Sequence, residues 1–265
     1  MSFKIVEELY NRFGKDKNLL STFYDNDYPV PIKGLYLYPL TVDTYIYFYS
    51  LVGSIGDSKN MSGDIEAIST SYLGWLYKQA LRGDYDRISR CLLLLKLAFK
   101  LEGDDGEDID IITTNNGKNY NLRIKDTIFD EQEFDEIRKI ICEQNGYEMV
   151  DESVHPDWYK AQKEMEEYRA KHSKFKMCSL GDRMNVIISR GVPKSEVLKM
   201  TIRTFDRLIE RTDLIMNYEL MTLLSPNLEK KDREKIIHYL SDTTQIDKFA
   251  DIKVDYDEMK NKIEK

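Results

Sequence analysis

The side chains able to do chemistry are thinly spread in this sequence, and their spacing completes no familiar reactive grouping. Cys91, Cys142 and Cys178 lie far apart and never form a C-x-x-C pair. So sparse a set fits a reducing compartment rather than a disulfide scaffold. His155, His172 and His238 do not cluster with the cysteines, whereas a zinc site needs several ligands close together. The acidic run DDGEDID (104–110) is suggestive of calcium. An EF-hand loop, however, needs acids at alternating positions and glycine at the sixth, and Gly106 is out of place. The run is expected to be a solvated turn. Serine, histidine and aspartate are all present, but without a nucleophile elbow, a Walker loop or an H-E-x-x-H motif. The paired acids Glu166 and Glu167 sit in a heavily charged segment and are read as a solvated face. The sequence therefore predicts no enzyme, with no catalytic residue, no cofactor and no metal.

A second chemistry, DNA reading, is raised by VIISRGVPKSEVLKM (186–200). Two short helical runs flank Gly191 and Pro193, and a helix-turn-helix joins packed helices through such a turn. With Gly191 at the turn, Val192, Val197 and Met200 fall where the motif is apolar. Ile187, however, falls where close approach calls for a small residue, and Arg190 where an apolar one is needed. The following run 201–225 is predicted to pair its own charges, Arg203 with Asp206 and Arg207 with Glu210, each three residues on. The formal net charge of the chain is −8, opposite to the basic excess that phosphate binding requires. Core helices are the stronger reading, with no nucleic-acid partner.

The elements that would position these residues are mainly helical. A helix is predicted over 3–13, extended chain at 28–31, and a short strand or turn from Leu35. Thr41 then caps a helix running through Ile55. The tyrosines of that helix, Tyr45, Tyr47 and Tyr49, are read as a core-packed face with hydroxyls at its rim. Helices over 65–82 and 84–101 follow, the second apolar on most faces and central to the first half. Two β-like runs around Asn116-Gly117 predict a hairpin near 109–124, because both residues of a tight turn need positive φ. DEQEFDEIRKIICEQNG (130–146) places Phe134, Ile137, Ile140 and Ile141 on one face and stops at Asn145-Gly146.

The segment 155–176 differs from the rest. It opens with Pro156 and carries charge almost all round, leaving a thin stripe of Trp158, Ala161, Met165 and Tyr168. The predicted organisation is an N-terminal helical unit with a small hairpin (1–150), a charged linker helix (151–176) and a C-terminal helical bundle (177–265). In that bundle Ile202, Phe205, Ile209, Ile215, Leu220 and Leu223 form an apolar stripe. The longest apolar runs fall far short of a membrane span, and MSFKIVEELYNRF lacks the apolar core of a signal peptide. A cytoplasmic location with no membrane partner is the expectation.

Segments in the order FDEIRKIICEQN (134–145), CSLGDRMNVIIS (178–189), VLKMTIRTFDRLIERTDLIMNYEL (197–220) and KIIHYLSD (235–242) resemble tail assembly chaperones and morphogenesis proteins of tailed phages of Gram-positive bacteria. LYLYPLTVDTYIYFYSLV (35–52) and SYLGWLY (71–77) fit the same pattern. The resemblance implies a non-enzymatic tail assembly factor in the host bacterial cytoplasm, holding the tape-measure protein or another tail protein through helical surfaces. The alternatives are a structural virion protein of tail, neck or baseplate and a helix-turn-helix regulator; a homo-oligomer is left open. Trp158, Met165 and Tyr168 are the expected partner-binding residues, since aromatic and methionine side chains offer large, adaptable contact area.

Overall fold

The computed structural model describes residues 10, 17–59, 67, 69–102, 108–114, 119–150, 156–172, 178–227, 236 and 238–241. All of the helix expected over 3–13 except Tyr10, the Asn116-Gly117 turn and the start of the helix expected at 65 lie outside the described residues.

Helix α1 (Lys17–Asp25) leads into a tight hairpin of β1 (Val30–Ile32) and β2 (Leu35–Leu37), with Val30 opposite Leu37 and Ile32 opposite Leu35. Lys33 and Gly34 form its turn with φ of 46° and 80°, the handedness that matches strand twist. The sequence reading gives extended chain at 28–31 and a strand at 35 without joining them. The reason is that lysine occupies the turn position where asparagine or aspartate usually signals a hairpin. Thr41 does not cap with its side chain; its hydroxyl turns instead to the Asp43 carboxylate. One turn of 3-10 helix (Val42–Thr44) precedes α2 (Tyr45–Leu51), and a break at Val52 separates the short α3 (Gly53–Gly56). The single helix expected over 41–55 is thus broken next to Gly53, a residue type that weakens helix interiors.

Ser71 accepts a hydrogen bond from the Gly74 amide and caps α4 (Tyr72–Leu81). Gly74 is required by packing: a Cβ there would sit 2.7 Å from the Tyr120 ring. Helix α5 (Asp86–Phe99) is central as expected, with Cys91, Leu94, Leu95 and Ala98 fully buried. Strands β3 (Ile109–Thr114) and β4 (Asn119–Ile124) pair antiparallel, as the two β-like runs led one to expect. A third strand, β5 (Thr127–Phe129), continues the sheet in the order β3-β4-β5. Its three residues are too short for a periodicity signal.

Helix α6 (Glu131–Gln144) carries a full capping box between Asp130 and Glu133, which satisfies two orphan amides reciprocally. All four residues of its expected apolar face are buried, and Gly146 ends it at φ 72°. Arg138 is buried beside that face. Its Nε donates to the Ile55 carbonyl at 2.9 Å, its Nη1 donates to Asp135 at 2.7 Å, and its guanidinium lies 3.2 Å from the Tyr72 ring centroid. Helix α7 (Pro156–His172) is followed by α8 (Leu180–Ser189), α9 (Lys194–Lys199) and the long α10 (Ile202–Leu224).

The fold is mostly helical with two small sheets. Its main core gathers residues from α1 to α6 and both sheets, while Val42, Met184, Ile187, Val197 and Phe205 form a second core. The chain divides into compact units at Met1–Ile209 and Glu210–Lys265, whereas the sequence reading divides it near 150. Long-range pairing explains the later boundary. The Val42 amide donates to the Met200 carbonyl at 2.9 Å and the Ile202 amide to the Leu40 carbonyl at 2.8 Å. These bonds tie the end of α9 and the start of α10 to Leu40–Val42, and the second core adds α8 through Met184 and Ile187.

Candidate partner-binding surfaces

The stretch 186–200 folds as two helices around a turn, with Gly191 at φ 95°. Val197 and Ile187 are buried in the second core. Helix α9 has only six residues, about 9 Å, which is short for an element that must reach base edges. Arg203 and Arg207 both pair with Asp25 of α1, and Asp206 pairs with Arg183 of α8. The expected pairing of Arg203 with Asp206 along the helix is therefore replaced by contacts with distant elements. Beside them Asp27 accepts hydrogen bonds from the Thr201 and Thr204 hydroxyls, and the Thr201 hydroxyl oxygen accepts from the Thr204 amide at 3.2 Å. The carboxylates of α1 and its turn thus clamp the N-terminus of α10, where negative charge also meets the helix dipole favourably.

The tyrosines of α2 divide by face. Phe48 is fully buried, Tyr45 is half-buried against both cores, and Tyr47 is exposed. The Tyr49 hydroxyl donates to Asp206 at 3.2 Å. Burial and the Asp206 charge together push the Tyr49 hydroxyl pKa well above its ordinary value. A hydroxyl at the rim matches the sequence reading for Tyr49, while Tyr47 points away from the core.

Two clefts of about 430 and 540 Å³ share Lys139, Glu143, Tyr147 and Glu148. Some of their polar groups pair with one another. The Tyr24 hydroxyl donates to Glu143, and Arg203 donates to the Glu143 carbonyl at 2.9 Å. Burial, then the Glu143 charge, raises the Tyr24 hydroxyl. No cluster of histidine, cysteine and carboxylate suited to a metal occurs among the described residues. Cys91 and Cys142 are buried, and burial pushes both thiols up to about 12. They are inert core groups rather than nucleophiles. Cys178 is exposed.

The expected partner-binding stripe lies on α7. Tyr168 is 63% exposed and stacks on His172 with ring centroids 4.0 Å apart. Met165 is also exposed. The side chain of Trp158 lies outside the described residues; Ala161, Met165 and Tyr168 are exposed on the surface of one helix.

A second apolar stripe, read from sequence as core, is exposed. In the second compact unit α10 carries Arg211 and Tyr218 on one face. Arg211 donates to the Tyr239 and Ser241 carbonyls at 2.8 Å, and the Tyr218 ring packs edge-on to His238 and Tyr239. At about 100° per residue, Met216, Leu220 and Leu223 fall within about 60° of one another on the opposite face. All three are exposed, Leu223 by 78%, and Leu224 beside them is exposed too. Ile202 and Phe205 are buried as expected, but the second core reaches only to Ile209, so Leu220 and Leu223 depart from the expected core stripe. The spacing i, i+4, i+7, i+8 is that of one helix packing on another.

No protein-family model, curated protein or solved structure matches the chain. No helix among the described residues is long and apolar enough to cross a membrane.

Proposed function

We propose that this protein is a non-enzymatic assembly factor that holds a helical segment of a partner on exposed apolar helix surfaces, in the manner of a phage tail assembly chaperone acting on a tape-measure protein. The observation that carries this reading is the stripe of Met216, Leu220, Leu223 and Leu224 on α10. A contiguous helical stripe of leucine and methionine left in water is costly, because each such side chain gains about 1.5–3 kcal/mol on full burial. Such a surface suits an amphipathic helix laid along it, read at the same i, i+3, i+4, i+7 spacing. Polar residues border the stripe, including Asp213, Asn217 and Glu219, and would keep the unliganded protein in solution. Met165 and Tyr168 on α7 offer the same kind of anchor.

Co-expression with a tagged tape-measure protein tests this reading. Leu220→Ser with Leu223→Ser should leave melting within about 0.5 kcal/mol of wild type, since both positions are exposed. Co-purification should fall by about tenfold or more, as expected for loss of two anchors. Retained co-purification would remove the stripe as the client site. Recovery of the protein in purified particles would favour a structural virion role instead.

A further inference from the structure

Strand β3 forms one edge of the three-stranded sheet, hydrogen-bonded to β4 alone among the described strands. The register decides which backbone groups it leaves free. The Lys125 amide donates to the Asp108 carbonyl at 2.7 Å, so Asp108–Lys125 is a hydrogen-bonded pair. Such pairs alternate along an antiparallel ladder. Asp110, Ile112 and Thr114 therefore bond to β4, while Ile111 and Thr113 aim their backbone groups outward. One observation supports this assignment independently: the Ile111 amide donates to the Asp110 carboxylate at 2.7 Å rather than to β4. A side-chain oxygen thus stands where the carbonyl of an added strand would stand.

Beside this edge runs an apolar groove of about 340 Å³, walled by Tyr77, Leu81, Tyr85, Ile88 and Leu92 of the α4–α5 pair and floored by Ile111. Leu81 is 70% and Tyr85 64% exposed at its rim. A row of outward backbone donors and acceptors next to an apolar trough is the arrangement that strand addition uses. The ladder supplies affinity, and the trough takes alternate side chains. Charge narrows the occupant. The chain entering β3 reads EGDDGEDID (102–110), in which every residue but two glycines and Ile109 is acidic. An edge strand preceded by such a run repels acidic chains and attracts basic ones.

We propose that the β3 edge is a second binding site, independent of the α10 stripe, which takes an extended peptide segment of a partner protein alternating apolar with basic residues. The added strand pairs with Ile111 and Thr113, displaces the Asp110 carboxylate from the Ile111 amide, and sets its apolar side chains between Leu81 and Tyr85.

Fluorescence anisotropy with the full chain and a labelled peptide of alternating valine and lysine tests this. The control is a peptide of the same composition with its lysines and valines in separate blocks. The alternating peptide should bind at least about tenfold more tightly than the block peptide, since only the former presents one apolar face. Thr113→Pro removes an outward amide without touching the β4 ladder, and Leu81→Lys with Tyr85→Lys alters the groove rim at exposed positions. Each should weaken binding by about tenfold with melting close to wild type, and the rim variant decides the matter if Thr113→Pro does not fold. Equal binding of the two peptides, or binding unchanged in the rim variant, would overturn the proposal. So would self-association abolished by Thr113→Pro, which would make the occupant a second copy of the chain.

Discussion

Burial fixes the chemistry of Cys91 and Cys142. Their thiols are pushed up to about 12, against an ordinary value near 9. Between those two pH values the unfolded chain gives up protons that the folded chain keeps. Stability is therefore fully present below about pH 9 and is lost as pH rises toward about 12, by up to about 1.4 kcal/mol per pH unit for each thiol. The raised hydroxyls of Tyr24 and Tyr72 add to the same trend above pH 10. Urea midpoints measured at pH 8 and pH 10.5 should fall across this window. A Cys91→Ala, Cys142→Ala chain, less stable at pH 8, should show the shallower fall. Under native conditions iodoacetamide should label Cys178 alone, and rapid labelling of either buried thiol would contradict their placement.

Among the elements, α6 is the one on which the first unit depends most. It is capped at one end by Asp130 and Glu133, stopped at the other by Gly146, and buries a full apolar face. Arg138 links it to α3 through the Ile55 carbonyl and to α4 through the Tyr72 ring. Removing this side chain strips a buried carbonyl of a donor and leaves a void over an aromatic face. Arg138→Ala should therefore cost about 3 kcal/mol, read as a lower urea midpoint with an unchanged slope. Arg138→Lys should recover only part of the loss, because an ammonium has neither the planar fork nor the stacking surface of a guanidinium. Full recovery by lysine would mean that charge alone matters at this position. Helix α10 behaves differently along its length, with Ile202 and Phe205 buried and Leu220 and Leu223 in water.

For the whole molecule the electrostatic balance is the broadest constraint. With a formal net charge of −8, a polyanion meets overall repulsion, and Arg203 and Arg207 are already engaged by Asp25. Titration against duplex DNA in low salt should show at most weak binding that fades with added salt. A submicromolar complex at physiological salt, weakened by Arg190→Ala or Lys194→Ala, would restore the helix-turn-helix reading of 186–200. The same balance bears on the two proposed docking surfaces. The α10 stripe is apolar with a mixed border, so its binding should depend little on salt, whereas binding at the β3 edge should weaken as salt screens the acidic run.

Signals that act within a turn of helix or across one hairpin were legible in the sequence. The Gly146 stop, the apolar face of α6 and the β3–β4 pair are all of this kind, because the groups that decide them lie within a few residues of one another. Periodicity also announced an apolar stripe along α10, but periodicity states that a face is apolar, not that anything covers it. Which half of that stripe is buried depends on where Val42, Met184, Ile187 and Val197 converge, and that is a matter of packing. The partners of Arg203 and Arg207 were likewise hidden. A carboxylate three residues away on the helix offers only weak, solvent-screened attraction, while Asp25 reaches both arginines once α1 is docked. That β3 is an edge among the described strands was hidden for a related reason: a strand's own residues do not reveal whether it has one neighbour or two. Only the tertiary structure decides that, by pairing β3 with β4 alone among the described strands and setting the apolar groove against Asp110 and Ile111.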